Sequence, residues 1–215
     1  MSILIQLCPA LLLLTGILIA AFRDLRAQTV ILRIQGIGLG MLPLLLAIEQ
    51  HSVALAVAGV IELAIRGFLL PGLLMRTVKR LPPEQDPSTV RNTASSFLLS
   101  GILTVIANLV FLPLTRATST TLGQSSFIGL VLVFLGIQVL LMRRRAIGQI
   151  IGFLMIDNGI DAFGFLATLG VPFILELGGG LDLVFVVLIL AVLTNRMVIK
   201  FEGTDIDDLS ELRER

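Results

Sequence analysis

Charged side chains are scarce in this sequence: they make up 14% of 215 residues, where an ordinary soluble domain carries about 25%. There is one cysteine, Cys8, and one histidine, His51. A single thiol excludes an internal disulfide, and the pair is too few to hold zinc, an iron–sulfur centre or a nickel–iron site. No redox cofactor and no metal is therefore expected of the chain. Tryptophan and tyrosine are absent altogether, although a lipid-facing protein usually anchors itself with a belt of them. That absence fits a surface largely covered by partner chains. The net charge of +1 gives no footprint for nucleic acid.

What is present is apolar. Hydrophobic residues make up 56% of the chain and the mean hydropathy is +1.00. Apolar runs of about the 20 residues needed to cross a bilayer recur along nearly the whole length, leaving no room for a separate globular domain. The reading is an all-α polytopic membrane protein with seven transmembrane helices. They run from Ile3 to Phe22, Thr29 to Ile48, Val53 to Met75, Thr93 to Leu114, Ser125 to Met142, Ala146 to Thr168, and Pro172 to Arg196. No basic segment precedes the first run, so it is expected to stay as a helix and not to be cleaved as a signal peptide.

Basic residues give the orientation. Arg23 and Arg26 follow the first span; Arg76, Lys79, Arg80 and Arg91 the third; Arg143, Arg144 and Arg145 the fifth; Arg196, Lys200, Arg213 and Arg215 the seventh. Arg33 belongs to the same side, and the opposite loops hold only Arg116. Positive loops stay cytoplasmic, which places the N-terminus outside and the C-terminus inside. Strict alternation also supports the span count, because a missed helix would put both charge classes on one side.

Three regions follow: 1–92, a three-helix region and its cytoplasmic loop; 93–124, the fourth helix and an outer loop; and 125–215, a second three-helix region with a cytoplasmic tail. The loop RTVKRLPPEQDPSTVRN has a Pro-rich middle that is expected to be extended. In the tail, Ile206, Leu209 and Leu212 fall on one narrow stripe, either a frayed amphipathic end or a docking contact. No internal repeat is visible, which argues against an inverted-repeat transporter.

Five ionisable residues lie well inside the spans: Glu62, Arg66, Asp157, Asp161 and Asp182. At about 2.5 to 3.5 kcal/mol each for insertion at a helix centre, they are too expensive to face lipid. They must pair, face other helices, or line water. Glu62 and Arg66, spaced i and i+4, share a face, either as an ion pair that lets the helix insert or as part of a hydrated pocket. The second reading is prompted by Pro71, which cannot donate to the Gly67 carbonyl and loosens the helix there. Asp157 and Asp161 are also i and i+4, and two carboxylates so close in a low dielectric are expected to hold a proton between them. Asn158 is expected to face elsewhere than the two acids and to bond across to a neighbouring helix. Gly178, Gly179 and Gly180 precede Asp182 and mark a helix break centred on Gly179. Glu49, Glu176 and His51 are read as wet residues near the outer face.

The stretches RRRAIGQIIGFLMIDNGIDAFGFLA, ELGGGLDLVFVVLILAVLTNR and DIDDLSELRER resemble the hydrogenase-4 component E family of formate hydrogenlyase-type membrane arms. Ser125 to Arg215 is also similar to subunit K of respiratory complex I and its counterpart in multisubunit Na⁺/H⁺ antiporters. The resemblance implies a non-catalytic subunit of the bacterial cytoplasmic membrane, lodged between antiporter-like subunits and the membrane anchor of a redox module. In subunit K two glutamates lie on a mid-membrane hydrated path for H⁺ or Na⁺. The third-helix position matches Asp182; the second-helix position falls on Leu154, and the acid stands three residues later, at Asp157. Where component E carries a lysine five residues before the proline, this chain has Arg66. Arginine keeps its charge when buried, so it is expected to set the field for Asp157, Asp161, Asp182 and Glu62 without carrying protons.

Two other readings remain: a structural spacer that conducts nothing, and a free-standing ion carrier. A retinal-type protein is excluded because the only lysines, Lys79 and Lys200, lie at the cytoplasmic ends of spans, where no mid-helix Schiff base can form.

Overall fold

In the computed structural model the described residues, 2–79, 93–117, 124–143 and 145–168, are all helical apart from short connections. Helix α1 covers Ser2–Ala21 and α2 Leu25–Gln50. The third span is one continuous rod in three parts: α3, Val53–Glu62; a π-helical stretch, Leu63–Leu69; and α4, Leu70–Val78. Then come α5, Thr93–Ala117; α6, Phe127–Met142; and α7, Ala146–Thr168. Five of these rods are long and apolar enough to cross a membrane. The helix within the expected fifth span, α6, has 16 residues and rises only about 24 Å. The expected seventh span, with Gly179 and Asp182, lies outside the described residues, as do most of the long loop after α4 and the tail.

The turns on either side of α2 are written in local chemistry. Asp24 caps α2, its carboxylate accepting from the N–H groups of Arg26 and Ala27, both at 3.1 Å. That cap starts the helix four residues before the apolar run does. The carbonyls freed at the end of α1 are met by side chains from elsewhere. Gln28 Nε2 donates to the Ile19 and Phe22 oxygens, each at 2.9 Å, and buried Arg143 reaches Phe22 O at 2.6 Å. One end of the bundle is thus tied by polar groups from α2 and from the end of α6. At the other end His51 adopts a left-handed conformation, φ 51°, and Ser52 N–H donates to Ala47 O at 3.1 Å. Ser52 Oγ then accepts from Leu55 N–H and opens α3.

Helix α2 is the centre of the bundle, packing on α1, on all three parts of the third span and on α7. Helices α6 and α7 form a close antiparallel hairpin. Glycines set their separation: a Cβ on Gly136 would stand 2.7 Å from Ile156 N, and one on Gly159 2.7 Å from Gly129 O. Small residues let membrane helices approach backbone to backbone. The outer helix α5 presents Leu98, Val105, Leu109 and Val110 outward and touches α7 through Phe111 and Phe163, edge to face at 5.6 Å.

Candidate functional site: one guanidinium among three carboxylates

The third span does not simply weaken at Pro71. Its hydrogen bonding widens over the preceding turns: Leu70 N–H donates to Ile65 O, five residues back. Proline, with no N–H, has nothing to offer the carbonyl five residues before it, which is that of Arg66. The Arg66 carbonyl is therefore denied both its α-helical and its π-helical donor. It rests instead against Gly36 of α2, at a distance that leaves no room for a Cβ. The sequence predicted a free carbonyl at Gly67; the disturbance extends from Leu63 to Leu69 because the π register shifts every bond by one residue.

This close approach of α2 and the third span carries the Arg66 side chain toward α7. Its Nε pairs with Glu62, its Nη1 with Asp157, and its Nη2 with Asp161. Asp161 Oδ2 lies against Nη2 but off the hydrogen-bonding direction, so that contact is ionic only. Nη1 also donates to Asn158 Oδ1 at 2.8 Å. Asn158 Nδ2 in turn donates to Gln35 Oε1 at 3.0 Å. Glu62, Arg66, Gln35 and Asn158 are buried, while Asp157 and Asp161 keep 24% and 21% of their side chains uncovered.

The two i, i+4 pairs of the sequence are therefore one site. At about 1.5 Å of rise per residue, Gln35, Arg66 and Asp157 stand roughly 15 to 20 Å from the starts of their spans. That is near the middle of a hydrocarbon core about 30 Å thick. Three acids and one permanent cation leave the cluster short of positive charge unless it takes up protons. Asn158 lies on the cluster side of α7 because positions 157, 158 and 161 span a single broad face of one helical turn. Its amide reads both ways, accepting from the cation and donating to α2.

Gln35 is the member that a search for ionisable residues passes over. Its signal was available: a neutral amide in the middle of an apolar run needs a partner as a charge does. Its Nε2 has no hydrogen-bond partner among the described residues and faces Gly16 of α1. A second polar contact, away from the charges, joins α5 to α6. There the Ser100 hydroxyl lies 2.9 Å from Ser96 O and 3.2 Å from Gln138 Oε1. Glu49 and His51 are exposed. Among the described residues no group of acidic, histidine and cysteine side chains is arranged to hold a metal ion. Asp182, Gly179 and Glu176 fall outside the described residues.

No family model matches the chain, and no solved structure does. Among curated proteins it is similar to "Uncharacterized protein Rv0085" of Mycobacterium tuberculosis, 38% identical over 214 residues that cover 99% of this chain and 97% of that protein. It is also similar to "Hydrogenase-4 component E" of Escherichia coli K12, 22% identical over 217 residues, covering 99% of this chain and 98% of that one. The same component of Shigella flexneri matches equally. Both similarities are full-length.

Proposed function

The chain belongs to the same family as the mycobacterial protein Rv0085, and on that premise we propose that it is a non-catalytic membrane subunit of a hydrogenase-4-like, redox-coupled complex. In this reading it lies in a bacterial cytoplasmic membrane, N-terminus outside, and lends buried carboxylates to an ion path shared with antiporter-like and anchor subunits. The distant full-length similarity to hydrogenase-4 component E supports the setting. The observation that carries the role is the mid-span cluster, in which Glu62, Asp157 and Asp161 share Arg66.

A permanent cation among three acids makes a store for protons. With Arg66 fixed, electroneutrality asks for two protons on three carboxyl groups, so one position is always free to receive. Asp157 and Asp161, each about a quarter uncovered on one helix, are the exchanging pair; Glu62, sealed against Arg66, sets the field. The guanidinium occupies the place where a metal cation would gather these oxygens, which favours H⁺ over Na⁺ as the ion. Asp182 is assigned the next step, by hydrogen-bond reach or through water, at roughly 2.6 to 3.2 Å per transfer. Asn158 and Gln35 hold Arg66 in register.

The same bonding also suits a structural knot, since every nitrogen of the guanidinium already has an acidic partner. The two roles part on one experiment. In vesicles holding the whole complex, Asp157→Asn is expected to leave subunit composition unchanged and to lower redox-driven pumping. Wild-type pumping in the assembled variant would refute the conducting role and leave the knot.

A further inference from the structure

Helix α2 turns one face away from the bundle. Val30 and Ile34 on it are exposed, and Arg26, Arg33 and Ile37 share that face, at i−4, i+3 and i+7 from Val30. Arg33 is the residue out of place there. It stands roughly 12 Å along α2 from Leu25, a depth at which a cation needs an anion or water. Among the described residues no acid pairs with it, and its Nε is buried with no hydrogen-bond partner. No acidic residue occurs between Leu25 and Ile48, and Asp24 is engaged as the cap of α2. Helical side chains lean toward the start of their helix, which directs the Arg33 guanidinium toward exposed Arg26.

One turn beyond Arg33 the same ridge runs into a groove. Arg33, Ile37, Met41 and Leu45 follow one another at i, i+4 spacing, and the last three line an apolar groove of about 210 Å³ with Leu4, Leu7 and Leu11 of α1. Leu7 and Met41 are exposed, so the groove opens outward. Ile37 and Met41 stand about 6 and 12 Å above Arg33, within the roughly 15 Å that the chains of one leaflet occupy.

We infer that α1 and α2 form a seat for one anionic phospholipid, its phosphate held between Arg26 and Arg33 and one acyl chain laid in the groove. The unpaired cation asks for an anion, and the apolar groove beside it asks for a hydrocarbon; a phospholipid supplies both in one molecule. Size favours the same occupant. Spread over the roughly 12 Å from Ile37 to Leu45, the volume leaves a cross-section of about 18 Å², which suits a single hydrocarbon chain and is too narrow for a helix about 10 Å across. A free phosphate would satisfy Arg33 and leave the groove unused. The inference is independent of the ion-path reading, because Arg33 and the groove lie apart from the Arg66 cluster.

The test titrates the full-length chain in detergent micelles with phosphatidylglycerol and phosphatidylcholine of identical chains, and counts bound lipid by native mass spectrometry. Phosphatidylglycerol should bind about tenfold more tightly. Arg33→Gln should reduce that preference to about twofold or less, and Arg33→Lys should restore part of it. Arg76→Gln removes an equal charge from an exposed position of α4 and should leave the preference intact. Met41→Trp, which fills the groove, should weaken binding of both lipids, and sn-glycerol 3-phosphate should not displace phosphatidylglycerol. Equal binding of the two lipids by the wild type would overturn the seat. So would equal losses in Arg33→Gln and Arg76→Gln, which mean charge alone; displacement by glycerol phosphate, which means a free-phosphate site; or unchanged binding in Met41→Trp. Should the variants fail to fold by circular dichroism, the wild-type chain decides. Phosphatidylglycerol bearing a diazirine on its acyl chain should label residues 4–11 and 37–45 more heavily than the matching phosphatidylcholine, and equal labelling would overturn the inference.

Discussion

Gln35 and Asn158 are joined across α2 and α7 by a 3.0 Å hydrogen bond in which the asparagine amide donates. Since the same asparagine accepts from Arg66, the position of the cation depends on a neutral residue two bonds away. Gln35→Leu should destabilise the protein by about 1 to 3 kcal/mol by leaving a buried amide unpaired. Asn158→Leu should cost at least as much, because it also strips an acceptor from the guanidinium. In a double-mutant cycle the two should couple by about 0.5 to 3 kcal/mol, measured by unfolding in mixed micelles. Simple additivity would mean that the bond carries no energy.

Removing the cation tests the cluster as a whole. Arg66→Met leaves three carboxylates in mid-span with no positive partner, and breaking a buried pair from one side costs about 3 to 5 kcal/mol. Unfolding should shift accordingly, and Arg66→Lys should lose less because the charge stays while the planar fork is lost. Adding Glu62→Gln to Arg66→Met should recover part of the deficit. A melting curve for Arg66→Met that overlays the wild type would show that the acids are neutral without it.

Much of this arrangement could be read from residue order, for reasons that differ along the chain. Six of the seven expected segments are helical, because an apolar run of membrane length has no other way to satisfy its backbone. The ends of α2 moved outward to Leu25 and Gln50 since Asp24 and His51 make caps, which hydropathy does not register. The pairs Glu62 with Arg66 and Asp157 with Asp161 were legible from i, i+4 spacing. Their union was not, because which face of the third span meets which face of α7 is set by α2 lying against both. Gln35 and Gly36 supply that contact, one by an amide and one by lacking a side chain. Neither residue stands out by composition.

Gly36 yields a sharp contrast with other glycines. Its missing Cβ admits the Arg66 carbonyl, a backbone atom that cannot turn aside, whereas a Cβ on Gly72 or Gly101 would meet nothing within 4 Å. Gly36→Ala should therefore force α2 and the third span apart, at about 1 to 3 kcal/mol, and should shift Arg66, which moves with its backbone. Gly72→Ala should instead be neutral or stabilising by up to about 1 kcal/mol, as expected where alanine replaces glycine inside a helix. Thermal unfolding of the two purified variants gives the comparison, and equal effects would contradict the close approach at Gly36.

The turn after α2 isolates a stability effect from the charge cluster. His51 holds φ at 51°, a left-handed conformation in which a side chain bearing a Cβ is strained and glycine is not. Its own N–H and that of Ser52 both close on Ala47 O, so the conformation is required by the bonds that end the helix. His51→Gly should raise stability by about 0.5 to 1 kcal/mol, less whatever entropy glycine returns to the unfolded chain. His51→Val, branched at Cβ, should lower stability by about 1 to 2 kcal/mol. Because the residue is exposed and at the end of a span, neither change should disturb the Arg66 cluster. A valine variant as stable as the wild type would mean that the turn relaxes without consequence, and that α2 and α3 are held together by their packing alone.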